Sequence, residues 1–257
     1  MSPSSDVPEP LMPFDEGHQQ PPSYAQYPGG PVYPVYVDPP RPLGGLAKAL
    51  YVLLGAAALV SVGGAFMRFS RASFAADYRQ YLGSIAEADA ADSRVAVFAV
   101  LFIAVFLATA VVFMIWQYRL AMNAQATGQL GLGPGWAIGA WFIPVANFIM
   151  PALQMRGSAR ASGFRPPAVV VVWAVVFAAS SVTYGTANRQ LPDEPPVATV
   201  ASVDRFFAEL AKGDRTAAVA MIIYVVAALL AIVMVRALTT GQEAADAARR
   251  NPGGYRP

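Results

Sequence analysis

Arg119 and Asn123 stand four residues apart, and so do Arg156 and Arg160. On a helix this spacing brings both members of each pair to one face. Guanidinium and amide groups gathered there are suited to a phosphate or a carboxylate. The two pairs predict a cytoplasmic pocket for an anionic lipid headgroup or an acidic partner segment, with plain anchoring of helix ends as the simpler alternative. Catalysis has less to work with. Cysteine is absent, and the single histidine, His18, lies in a proline-rich tail. Thiolate chemistry and the commonest general base are therefore missing from the main body. Every carboxylate falls in a tail or in a stretch that reads as an outer loop, where solvation accounts for it. The expectation is a protein that is not an enzyme and needs no cofactor or metal.

The elements that must position these residues are apolar. Of 257 residues 56% are hydrophobic and 13% charged, with a mean hydropathy of +0.43, whereas soluble domains carry about 25% charged residues. Four runs are long enough to cross about 30 Å of hydrocarbon as helices: residues 49–67, 95–116, 168–185 and 217–235. A net charge of +2 and the lack of a basic cluster interleaved with aromatics give no sign of a nucleic-acid partner. Arginine outnumbers lysine sixteen to two amid heavy Ala, Val, Gly and Pro use, as in a GC-rich bacterial genome.

Residues 1–45 hold twelve of the 22 prolines and no long apolar run. This stretch predicts a disordered cytoplasmic tail with polyproline II character and no cleaved signal peptide. Its "PPSY" fits a WW-domain ligand pattern, against the plainer alternative of a solvated tether. Lys and Arg number ten on the tails and the middle loop against eight on the other two loops, which predicts both termini in the cytoplasm of a bacterial plasma membrane. Residues 68–94 and 204–215 have apolar residues near helical spacing, so short amphipathic helices capping the outer face are expected there. A C-terminal tail is expected from residue 241.

Between the second and third spans lies "GWAIGAWFIPVANFIMP", residues 135–151. Pro144 breaks any helix through it, and from Trp136 to Pro144 a helix would rise only about 12 Å. Arginines flank both sides of the segment. A segment over 135–155 that dips in and returns on one face keeps Arg119, Arg156 and Arg160 together, and a fifth span would separate them. Asn147 is placed to satisfy backbone groups freed by the break. Gly135 and Gly139 would allow close approach to a neighbouring helix, and Trp136 and Trp141 suit the headgroup level. The expected fold class is an all-α integral membrane protein: four transmembrane helices, with a re-entrant or interfacial Pro-broken segment between spans 2 and 3.

Three stretches carry a family resemblance: "WQYRLAMNAQATG" at 116–128, "GPGWAIGAWFIPVANFIMP" at 133–151 and "RGSARAS" at 156–162. They resemble the actinobacterial membrane proteins catalogued as domain of unknown function 4328, over roughly residues 45–240. The resemblance carries over to Trp116, Arg119, Asn123, Trp136, Trp141, Pro144, Asn147, Pro151, Arg156, Arg160 and Ser162 as a structural or binding motif. The chain departs from the family pattern at Ala152, Gly157 and Ala159. The resemblance implies this architecture and no activity.

Two function classes remain. The first is a scaffold or binding module of the membrane, taking the bilayer itself, an anionic lipid, or a membrane or cytoplasmic protein as partner. The second is a small oligomeric transporter or channel-like subunit using the re-entrant segment. The span interiors hold no Asp, Glu, Lys, Arg or His of the kind that marks an ion path, which favours the first.

Overall fold

A computed structural model describes residues 40–81, 84–127, 131–192 and 199–250. The expectations for the proline-rich tail up to residue 39, His18 and "PPSY" included, lie outside the described residues, as do those for residues 251–257.

Four of the helices are long and apolar enough to cross a membrane: α1 (Gly44–Tyr81), α2 (Ile85–Gln125), α5 (Val169–Arg189) and α6 (Val200–Arg250). Between α2 and α5 lie a single turn, α3 (Trp136–Gly139), a 3-10 turn (Ala140–Phe142), and α4 (Ala146–Ala161). No strand occurs among the described residues. The four apolar runs read from the sequence fall within the four long helices, apart from Ala168, which caps α5.

The helices outrun those runs. At 1.5 Å per residue, the 51 residues of α6 extend about 77 Å and the 38 of α1 about 57 Å, against a core of about 30 Å. The short, separate amphipathic helices expected at 68–94 and 204–215 are instead continuations of α1, α2 and α6. No proline interrupts these stretches, and their Ala, Arg and Glu residues are good helix formers. The stops come where capping chemistry supplies them. Ser84 Oγ accepts from the Glu87 backbone N–H at 3.3 Å, and the Glu87 carboxylate accepts from the Ser84 N–H at 3.0 Å, a capping box that starts α2. At the other end α6 continues past residue 240, where a tail was expected, to Arg250.

α6 is the central helix. It packs along both α1 and α5, and α2 packs along α1. Its inward face is rich in small residues (Ala217, Ala220, Ala227, Ala228 and Ala231 among them), which let the helices approach closely. α2 and α5 make no extended contact with each other; α4 is wedged between them at the end where α1 begins and α6 finishes. Val52, Leu59, Val100, Leu107 and Val175 face outward, exposed. In water such a belt would drive aggregation, and in hydrocarbon it matches its solvent.

The opposite end is held by charge. The Asp214 carboxylate on α6 is completely buried and accepts from Arg68 Nη1 at 3.0 Å, Arg71 Nε at 2.6 Å and Arg71 Nη2 at 2.7 Å. Arg71 Nη1 also donates to Asp92 of α2 at 2.8 Å, and Arg68 lies 6.0 Å from the ring centre of Tyr184 on α5. One network thus ties together all four long helices. This corrects the expectation that every carboxylate is solvated. Because α6 runs on uninterrupted, Asp214 joins the same face as Ala211, Ala218 and Met221, which points into the bundle.

Removing one partner of a buried ion pair strands the others and costs about 3–5 kcal/mol. Asp214→Asn is expected to lower the thermal unfolding midpoint of the detergent-solubilised protein by that measure. Asp92→Asn, whose carboxylate side chain is 64% exposed, should cost less than about 1 kcal/mol. An unchanged midpoint for Asp214→Asn would remove the network from the account of stability.

Candidate functional site

The geometry of the broken segment is set by one side chain of α2. Gln117, fully buried, accepts from Trp141 Nε1 at 3.2 Å and donates from Nε2 to the Pro151 carbonyl at 3.3 Å. Trp141 ends the inbound arm, and Pro151 lies in the outbound helix, so one amide holds both arms. Thr127, ten residues on and just past the end of α2, donates to the Ala161 carbonyl, ten residues further along α4. α4 therefore runs parallel to the last turns of α2. The chain leaves α2 at Gln125, reaches the level of Phe113 and Gln117 at Trp141, and returns beside α2 as far as Thr127.

The reversal sits at Ile143–Pro144–Val145. Val145 has φ 68° and ψ −45°, and the Ala146 N–H donates to the Pro144 carbonyl at 2.8 Å. This is the rarer, strained form of γ-turn. A β-branched residue at positive φ is held there at a cost of order 1–3 kcal/mol. Pro144 explains the stop: it sets its own φ and removes a donor. The Asn147 N–H bonds the Ile143 carbonyl at 3.1 Å, but the expected service of its side chain to the backbone is not found. Asn147 Oδ1 is buried with no partner.

The other motif residues divide by role. Trp116 is fully buried and donates to Thr239 Oγ1 of α6 at 3.1 Å. Asn123 grips the backbone of Arg41 on both sides, accepting from its N–H at 2.8 Å and donating to its carbonyl at 2.9 Å. Arg119 donates to the Pro42 carbonyl at 3.3 Å. These two residues, expected to face a ligand together, hold the approach to α1 instead, and Leu43 is buried there. The packed body thus begins a few residues before 46.

Arg156 and Arg160 share a face of α4, half-buried and exposed respectively, with no acid paired to either among the described residues. α4 ends in a Schellman motif: Phe164 N–H to the Ala159 carbonyl at 3.1 Å and Gly163 N–H to the Arg160 carbonyl at 3.0 Å, with Gly163 at φ 88°. Phe164 then packs over Gly241 of α6, where an added Cβ would come within 2.7 Å of the ring. The Ser162 carbonyl accepts from Arg249 at 3.3 Å.

Two sequence expectations are corrected. Gly135 and Gly139 have nothing within 4 Å of where a Cβ would stand, so they serve no close helix approach. Trp141, expected at the headgroup level, points into an aromatic group of the bundle. It packs edge-on against Phe113 at 5.7 Å, with Trp173 at 6.4 Å and Phe177 at 6.2 Å; the short inbound arm ends against α2 and α5, leaving its ring nowhere else to go. Trp136 is 41% exposed.

Beneath this aromatic group lies a cavity of about 630 Å³. Phe106, Thr109 and Phe113 of α2 line one side, Trp173, Phe177 and Ser181 of α5 the other, with Tyr224 and Ala228 of α6 behind. Asn147 and Phe148 close the hairpin end. A smaller space of about 210 Å³ shares Phe106, Phe177, Ser181 and Tyr224 with it and extends to Tyr184 and Met221.

Sequence reasoning missed Gln117, Thr239, Gln242 and the cavity. A glutamine inside an apolar run is a usable signal, because a buried amide needs partners. Gln242, on the extension of α6, donates to the Leu120 carbonyl at 3.4 Å. The cavity has no local signal, since its walls come from five separated segments.

No curated protein and no solved structure matches the chain. The family described as Domain of unknown function (DUF4328) matches residues 79–240, well over half of the chain and the whole stretch from α2 through the hairpin to α5. The chain therefore belongs to the family of that domain of unknown function, DUF4328.

Proposed function

We propose that the chain is a non-enzymatic binding or scaffold module of a bacterial plasma membrane. Both termini lie in the cytoplasm, and the segment from 135 to 155 enters the bilayer and returns on that side. The observation that carries this reading is charge without partners. At the end of the bundle where α1 begins stand Arg41, Lys48, Arg119, Arg156, Arg160, Arg165, Arg236, Arg249 and Arg250, against only Glu243 and Asp246 among the described residues. Asp246 pairs with Arg249, and Glu243 lies beside Gly44 at the start of α1, where helix N–H groups favour an anion. The α4 pair, Arg156 and Arg160, is left for an anionic lipid headgroup. The pocket reading thus narrows from four residues to two, with Arg119 and Asn123 serving the fold. The alternative of a small oligomeric transporter gains less support, because the cavity walls are mostly apolar and hold no Asp, Glu, Lys, Arg or His.

Topology is tested by cysteine labelling, free of background because the chain has no cysteine. Gly131→Cys and Gly157→Cys are expected to react with an impermeant maleimide from the cytoplasmic side, and Ala201→Cys from the outside only. Labelling of 131 and 157 from opposite faces would make residues 135–155 a crossing and defeat the hairpin.

Headgroup binding is tested with the purified protein and fluorescent phosphatidylglycerol. Each arginine near an anionic surface contributes about 1 kcal/mol. Changing Arg156 and Arg160 together to Gln should therefore weaken binding by about 30-fold at low salt, and salt should weaken the native protein in the same direction. Equal binding by the double variant would sink the reading.

A further inference from the structure

We propose that the cleft between α2 and α5 holds a long-chain lipid alcohol, with its hydroxyl donating to Asn147 Oδ1 and its chain lying toward Tyr184. This site is separate from the arginine pair and does not depend on it. The argument begins with the void. A cavity of about 630 Å³, within the usual range for ligand sites, forfeits packing contacts along every wall if it stays empty. Because α2 and α5 make no extended contact, it opens sideways beside the exposed Leu107 and Val111 of α2. The medium beyond that opening is hydrocarbon, so what enters is lipid-soluble.

Shape narrows the occupant. From Trp173 to Tyr184, which line the two joined spaces, α5 rises about 16 Å. That makes a narrow apolar slot suited to one extended chain. Polarity narrows it further. Thr109 Oγ1 donates to the Val105 carbonyl at 2.7 Å, and Ser181 Oγ to the Phe177 carbonyl at 2.9 Å, so these two hydroxyls are committed to their own helices, while the Tyr224 phenol lines the back of the space. Asn147 Oδ1 is buried and unpartnered at the end of the slot. Four residues on, Pro151 lacks the N–H that would reach the Asn147 carbonyl. The hairpin end therefore offers a buried acceptor that lacks a donor. A carboxylate or an ester brings only more acceptors. A hydroxyl brings the missing proton, and a neutral head suits a slot with no cation in its walls.

The test uses the purified full-length protein in nanodiscs and a photoactivatable long-chain alcohol with its reactive group near the hydroxyl. Saturable labelling is expected within residues 142–148. Unlabelled alcohol should compete about tenfold better than its methyl ether, the worth of one buried hydrogen bond. Asn147→Leu should abolish that preference while chain labelling persists, and Ala110→Trp should fill the slot and remove saturable labelling. If alcohol and ether compete equally on the native protein, the slot takes ordinary acyl tails and the proposal fails. Undiminished labelling of folded Ala110→Trp would equally overturn it. Should Ala110→Trp not fold, the alcohol-to-ether ratio for the native protein and Asn147→Leu decides alone.

Discussion

The amide of Gln117 is the interaction on which the inner half of the molecule depends. A chain that reverses beside an apolar helix needs its two arms held in register, because its non-helical backbone makes few bonds of its own. Gln117 bonds the indole of the inbound arm and a carbonyl of the outbound one, which fixes the depth of the reversal relative to α2. The strained turn at Val145 is tolerated because both arms are held. With the depth fixed, Trp141 completes the aromatic group with Phe113, Trp173 and Phe177. That group roofs the cavity, while α4 keeps α2 and α5 apart. Loss of one side-chain amide would thus be felt at the turn, in the aromatic packing and in the spacing of two helices it joins only indirectly.

Charge and packing divide the long axis between them. At one end, arginines outnumber acids and several hold backbone carbonyls, as Arg119 and Arg249 do. At the other, Asp214 gathers two arginines out of solvent. The middle relies on small residues along α6 and on aromatic contacts such as Phe102 edge-on to Tyr224 at 5.2 Å. Among the described residues the four apolar runs hold no ionisable group except the Tyr51, Tyr184 and Tyr224 phenols, in keeping with the cost of charge in hydrocarbon.

The apolar runs and the break at Pro144 were legible in the sequence because both are local: one is a matter of length, the other of a missing N–H. The ends of the helices were less so. A charged stretch after an apolar run reads as a separate short helix, yet Arg68, Arg71 and Asp214 lie on continuations of the long helices, and their partners come from helices far away in sequence. Asn123 looked available for a ligand because nothing nearby in the chain marks its bond to Arg41, 82 residues earlier. Gly135 and Gly139 had the right spacing for a contact that the short arm never makes. In each case the misleading signal was local and the deciding partner was distant.

That α6 is the central helix and follows the helices it packs against has a consequence for assembly. Arg68 and Arg71 precede Asp214 by 146 and 143 residues, and Trp116 precedes Thr239 by 123. At a synthesis rate of about 5–20 residues per second, those arginines wait on the order of ten to thirty seconds for their carboxylate. Until it arrives, α1 and α5 lack the helix both pack against, and two cations destined for burial remain among lipid headgroups and water. Closure of this helical bundle is therefore delayed until α6 has been made.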